Sequence, residues 1–226
     1  MRFVITTVIA MLLLLAGGFL LNTATDVVAA NSISNERSII VIDAGHGGVD
    51  GGAVSCTGII ESQINLQIAL KLQDLFHLLG IQTRMIRTKD VSIYTSGESI
   101  AAKKVSDLKE RVRIINNTQN AILISLHQNY FTDSRYHGAQ VFYKDPYQDL
   151  AVQLQKSIVS TINVGSNRNA KKATGIYLME HIHCPAALIE CGFLSNPDEE
   201  ASLRSPDYQK KICCVIAATV CGYFAS

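Results

Sequence analysis

Residues 38–48 read Ser38-Ile39-Ile40-Val41-Ile42-Asp43-Ala44-Gly45-His46-Gly47-Gly48. A continuous β-branched run that breaks into glycines is the pattern of a buried strand feeding a loop. Downstream, Asn65, Ile68, Leu72, Leu75, Phe76 and Leu79 recur at spacings of three and four from Glu61, and Gly80 closes the pattern. That predicts an amphipathic helix ending in a glycine cap. Residues 81–86 form a second strand, 88–106 a long loop and 108–117 a helix. Strands follow at 121–127 and 139–143, a helix at 149–162 and an apolar strand at 186–191. Helices at 197–203 and 206–224, each with proline near its first turn, end the chain. Strands alternating with helices imply an α/β fold, a mainly parallel twisted sheet with helices on both faces, built as one domain over residues 38–226.

The chain has 226 residues, 48% hydrophobic and 17% charged, with a formal net charge of +1. It is too apolar for a disordered polymer. Near-neutrality also excludes broad electrostatic attraction to nucleic acid, which needs a strongly basic surface. At the start, Arg2 precedes an apolar run over residues 3–21, and Val28-Ala29-Ala30 supplies the small residues that signal peptidase accepts. Residues 1–30 therefore read as an export leader, either a cleaved signal peptide or a membrane anchor. Membrane contact is expected only through this segment. Residues 31–37 are a short polar linker. Six cysteines in an exported chain would suggest disulfides, but Cys213 and Cys214 are adjacent on a helix, Cys191 sits in an apolar strand and no Cys-x-x-Cys pair occurs. Most are expected to be small core residues.

In a parallel sheet, ligands collect beyond the carboxyl ends of the strands. The first strand ends at His46, the third delivers Ser125-Leu126-His127-Gln128-Asn129, and the last carries Glu190 just before Gly192. Glu61 opens the helix after the glycine loop. Two histidines and two glutamates thus meet on one rim. Zinc held by two imidazoles and one carboxylate keeps a position for water, whose pKa falls to about 7. His46, Glu61 and His127 have the right chemical types for the ligands. Glu190, a carboxylate within an apolar strand, is costly to bury without a function and suits the general acid/base. Asn65, one turn beyond Glu61, is placed to orient a ligand. Asn129 and Gly192 are expected behind the ligands or against substrate.

Other readings fail sooner. The loop over residues 45–52 matches neither the dinucleotide glycine pattern nor a P-loop. Cys191 is flanked by apolar residues, which favours an inert buried thiol over a nucleophile. His181 and His183 alternate on a strand or loop and so face apart. Lys171 and Lys172, with Arg168 nearby, form a solvated loop that is also placed to brush an anionic polymer.

Taken together, Asp-Ala-Gly-His-Gly-Gly, Gly51-Gly52, Glu61 with Asn65, Ser-Leu-His-x-Asn, His-Gly-Ala-Gln at 137–140 and Leu-Ile-Glu-Cys-Gly-Phe-Leu-Ser-Asn resemble the zinc-dependent N-acetylmuramoyl-L-alanine amidases of the type 3 family. The likeness covers about residues 38–224. It implies His46, Glu61 and His127 on Zn2+, Glu190 as acid/base, and as substrate the amide joining the lactyl group of muramic acid to L-alanine of the peptidoglycan stem. The single leader and Gly-Ile-Tyr-Leu-Met at 175–179 are most similar to family members of endospore formers needed for germination. The implied product is bare muramic acid, made into muramic-δ-lactam with a partner deacetylase. An activating exported protein is a second expected partner. Ala44 in place of a frequent proline, with Gln128 and Tyr130, departs from the family pattern. A non-catalytic wall-binding domain of the same fold is the rival reading, and a zinc peptidase cutting within the stem is a third.

Overall fold

The computed structural model describes residues 38–225; the expected leader and linker, residues 1–37, lie outside them. Six strands, β1 (Ile39–Ala44), β2 (Thr83–Met85), β3 (Ala121–Asn129), β4 (Gln140–Tyr143), β5 (Lys171–Lys172) and β6 (Ala186–Phe193), form one sheet in the order β2-β1-β3-β6-β4-β5. All neighbours run parallel except β4 against β6. Among the described residues, four helices lie between strands, α1 (Glu61–Leu78), α2 (Ile100–Asn116), α3 (Gln148–Thr161) and α4 (Tyr177–His181), and two follow β6, α5 (Pro197–Arg204) and α6 (Pro206–Ala225).

Alternation along the strands sorts the two faces. Ile40, Ile42, Ile122, Ile124, Leu126, Ala187 and Ile189 point into a core shared with Ile68 and Leu72 of α1, Leu154 of α3 and Ile216 of α6. Val41, Leu123, Ala186 and Leu188 point the other way, against Ile115 of α2 and Leu178 and Met179 of α4. Burial of these side chains, each stabilising by about 1.5–3 kcal/mol, fixes the register, because a slip of one residue would turn every strand inside out. Asp43, Ser125, His127 and Glu190 share the strand parity of the second face. They lie towards the carboxyl ends, where chain order β1-β3-β6 brings three polar termini side by side.

Four local expectations are corrected. The stretch 88–106 is not all loop, since α2 begins at Ile100, capped by Ser99, whose Oγ accepts from Ala102 N at 3.1 Å. Its first turns are largely exposed and carry no apolar stripe, so periodicity was silent there. Lys171 and Lys172 form the short edge strand β5. His181 ends α4, with its ring stacked on Tyr177 at 3.9 Å between centroids. Of the six cysteines, Cys191 and Cys213 are buried, Cys56 and Cys214 are exposed and all six are free thiols.

Candidate active site

The loop after β1 turns sharply at His46, a non-glycine residue at φ 60°. Such a left-handed conformation is unfavourable for a side-chain-bearing residue. Two buried arginines hold it. Arg111 of α2 donates Nη2 to His46 O at 2.7 Å and Nη1 to Ala44 O at 3.0 Å. Arg87 donates Nε to Ala44 O at 2.9 Å and Nη2 to Gly45 O at 3.0 Å. Beyond the turn, the Gly47 and Asp50 backbones bond to each other. Arg111 is itself anchored by Asp107 at 2.6 Å and paired with Asp43.

This frame aims His46 at Glu61. His46 Nδ1 lies 2.9 Å from Asp50 Oδ2, and its Nε2 lies 3.3 Å from Glu61 Oε1. His127 Nδ1 lies 3.0 Å from the same oxygen, and the two imidazoles meet edge to face with centroids 5.0 Å apart. One donor atom from each of His46, Glu61 and His127 falls within 4.8 Å of the others, the metal-capable cluster found among the described residues.

Glu61 itself is gripped from three sides. Its Oε1 accepts from Asn65 Nδ2 at 3.2 Å and from Gln128 N at 3.1 Å, while Oε2 accepts from Ala53 N at 2.9 Å. Asn65 is fully buried and also donates to Gly45 O at 3.1 Å, with its own Oδ1 accepting from Gln128 Nε2 at 3.0 Å. Burial alone would raise the Glu61 carboxyl, but the hydrogen bonds and charges of His127 and His46 outweigh it and hold Glu61 ionised. Burial likewise opposes the proton on His46, yet Glu61 and then Asp50 lift that imidazole to about 9. The donor set of two imidazoles and one ionised carboxylate is one that binds zinc.

Glu190 is the register partner of His127 on the neighbouring parallel strand. Its Oε2 is sealed from solvent and has no hydrogen-bond partner. A buried oxygen left unsatisfied is expensive. Burial pushes this carboxyl up to about 7; the charges of His127 and His46 oppose the rise and Glu61 adds to it. A carboxyl poised there can hold or release a proton near neutrality.

The remaining expected site residues stand apart. Asn129 contributes its carbonyl, which accepts from Leu194 N at 2.8 Å. Gly192 faces α5, where an added Cβ would meet both Leu203 Cδ atoms at 3.3 Å. Asp50, Asp43, Arg87 and Arg111 were not singled out as site residues by sequence reasoning. A usable signal existed for one of them: Asp107, Arg111 and Ile115 repeat at i, i+4, which places a charged pair on the core stripe of α2.

With this geometry in place, comparison with known proteins is decisive. The family profile described as N-acetylmuramoyl-L-alanine amidase matches residues 40–221. The chain belongs to that family. It is 36% identical over 197 residues to the germination-specific N-acetylmuramoyl-L-alanine amidase of Bacillus subtilis (strain 168), a match that covers 85% of this chain and 82% of that relative. The CwlD amidase of Clostridioides difficile, solved in complex with the GerS lipoprotein, superposes with a TM-score of 0.80 at 36% identity, covering 84% of this chain and 99% of that one. An N-acetylmuramoyl-L-alanine amidase of Clostridium difficile 630 does so at 0.74 and 31% identity, covering 85% and 99%. The amidase thus acts on peptidoglycan.

Proposed function

We propose that this amidase is a zinc enzyme in which His46, Glu61 and His127 hold the ion and Glu190 is the catalytic acid/base, acting outside the cytoplasm on peptidoglycan of the spore cortex. The observation that carries the chemistry is the sealed, unbonded Oε2 of Glu190, one strand from a cluster of three metal-capable donors. The donors fit zinc in type and number, and the glycines at 45 and 52 leave them room.

The chemistry supplied by a bound zinc is Lewis acidity, which polarises a carbonyl and makes water a competent nucleophile near neutral pH. This chain supplies the rest. Asp50 keeps His46 in the tautomer whose Nε2 lone pair faces the cluster, and Asn65 and the Gln128 amide orient Glu61. Glu190 takes the proton from attacking water on its carboxylate and returns it to the nitrogen of the departing L-alanine, a transfer that a carboxyl tuned by burial performs in both directions. The products are a free lactyl carboxylate on muramic acid and a stem peptide with a new amine.

The relationship to the germination-specific relative supports a cortex role, in which bare muramic acid is passed to a deacetylase and closes to muramic-δ-lactam. The leader at residues 1–30 carries the chain out of the cytoplasm, and the catalytic domain begins at residue 38. The CwlD complex with a lipoprotein supports an activating exported partner. Digestion of purified peptidoglycan tests the reading: mass spectrometry should find intact stem peptides and peptide-free muramic acid. Shortened peptides still attached to sugar would refute it, as would no product with zinc and partner present.

A further inference from the structure

Gln128 follows His127 on β3 and is only 3% exposed. Alternation sends its side chain away from His127, to the sheet face where Ile124 and Leu126 pack against α1. There it meets Asn65, one turn beyond Glu61 on α1. Three hydrogen bonds close a ring: Asn65 Nδ2 donates to Glu61 Oε1 at 3.2 Å, Gln128 Nε2 donates to Asn65 Oδ1 at 3.0 Å, and Gln128 N donates to Glu61 Oε1 at 3.1 Å. The ring ties the helix that carries Glu61 to the strand that carries His127.

The ring has a direction. An amide side chain offers an acceptor at one end and two donors at the other, and it can turn end for end. Asn65 Nδ2 faces two acceptors, Glu61 Oε1 and Gly45 O at 3.1 Å, so both its hydrogens are used and its oxygen needs a donor. Gln128 Nε2 is that donor. Without it Asn65 Oδ1, in a fully buried residue, would be left unsatisfied, and turning the amide to satisfy it would take the N–H groups away from Glu61.

Gln128 gains nothing comparable in return. Its own Oε1 is sealed from solvent and has no hydrogen-bond partner; the Cys191 thiol beside it, a weak donor, points to Ile189 O at 3.8 Å. A buried acceptor left unpaired is destabilising, and an apolar side chain of the same length would bring none. A local rule broken in this way is expected where the other end of the group serves a site.

We propose that the Gln128 side chain is a positioning residue for the metal centre: by fixing the direction of the Asn65 amide it steadies the Glu61 carboxylate and so sets how tightly zinc is held, without touching metal or substrate. The inference rests on the zinc reading given above and adds a side chain that the reading does not use. The backbone N–H of Gln128 survives any substitution there, so a change of side chain isolates the path through Asn65.

The test is Gln128→Met, repeated as Gln128→Leu, which keeps the bulk and removes the donor together with the unpaired oxygen. Zinc affinity, from competition with a chromophoric chelator, should fall about 2- to 10-fold, the value of one neutral hydrogen bond, and the visible absorption bands of the cobalt-substituted protein should shift. The apoprotein should melt close to wild type, because the unpaired oxygen created on Asn65 replaces the one removed. Gln209→Met provides the contrast: that buried glutamine donates to Gln67 Oε1 at 2.9 Å and Leu203 O at 2.8 Å and takes no part in the ring, so its loss should lower the melting temperature and spare zinc affinity. In an Asn65→Ser background Gln128→Met should change zinc affinity no further, since the residue it acts through is gone. Should Asn65→Ser fail to fold, the contrast between positions 128 and 209 decides alone. Unchanged zinc affinity and cobalt spectrum in the Gln128 variants, an equal loss of affinity in Gln209→Met, or additive losses with Asn65→Ser would overturn the proposal. Failure of the unmodified protein to bind zinc would instead overturn the reading beneath it.

Discussion

Gly45 lies against the imidazole of His127 so closely that a methyl group on its α-carbon would overlap the ring. The contact is forced by the sheet, since Gly45 N continues the β1–β3 ladder by donating to Leu126 O at 3.0 Å. Neither backbone can retreat, so the ring must move. Gly45→Ala should therefore rotate His127 out of the cluster and lose zinc while the protein still folds. Metal content by plasma emission, read beside circular dichroism, checks this. A variant that retains stoichiometric zinc would show that the ring has freedom the geometry denies it.

Glu190 and His127 face each other in register yet should fail differently when changed. Glu190→Gln removes the proton carrier without removing a ligand, so zinc should stay and turnover should drop by about 10² to 10⁴. His127→Ala should lose the metal as well. Equal zinc loss in the two proteins would assign Glu190 to the metal and not to the proton.

Asp50 supports His46 from behind, through the bond to Nδ1. Partners of this kind are typically worth 10- to 100-fold in metal affinity. Asp50→Asn should weaken zinc binding by about that factor in a competition titration with a chromophoric chelator, with the melting temperature of the apoprotein little changed because Asp50 is partly exposed and its other partners are Lys104, a surface cation, and Gly52 N, which the amide oxygen can still accept from. An apoprotein melting as far below wild type as a core variant would mean that Asp50 serves the fold first.

The sequence made the sheet legible where side chains had one job. Ile39 to Ile42 and Ala186 to Ile189 read as buried strands because nothing but packing acts on them, and the alternation of strand and helix then placed His46, His127 and Glu190 on one rim. What stayed hidden depended on pairing across long separations. Arg111 is sixty-eight residues from Asp43, and neither residue announces the other, although a buried aspartate beneath a glycine turn requires a cation. Exposed turns of α2 carry no apolar period, and β5 is only two lysines long, so both escaped a reading built on periodicity. Gly192 looked like part of the site because it stands two residues from Glu190 with the same parity, yet the β3–β6 register shifts just there, between the His127 and Asn129 pairs, and Gly192 packs against Leu203 of α5.

The buried pair of Asp43 and Arg111 predicts how the site fails in acid. Burial by itself would raise the Asp43 carboxyl, but the Arg111 guanidinium, the His127 charge and the Ser125 hydroxyl, which donates to Oδ2 at 2.7 Å, outweigh it and hold the group below its ordinary value of 3.8. A carboxyl depressed in the folded state contributes stability above its unfolded pKa, and that contribution is lost as pH falls through the folded value. Wild-type melting temperature should thus be insensitive to this pair at neutral pH and decline once pH drops below about 4. Asp43→Asn leaves Arg111 buried without its strongest partner, a defect worth about 3–5 kcal/mol, and because Arg111 also secures the His46 carbonyl, zinc affinity should fall with stability. The gap between the two proteins should be widest at neutral pH and narrow below about pH 4, where the unfolded wild-type carboxyl takes up a proton that the folded one still resists. Melting curves from pH 3 to 8 measure both; a gap of constant size across that range would show that Asp43 acts through shape and not through charge.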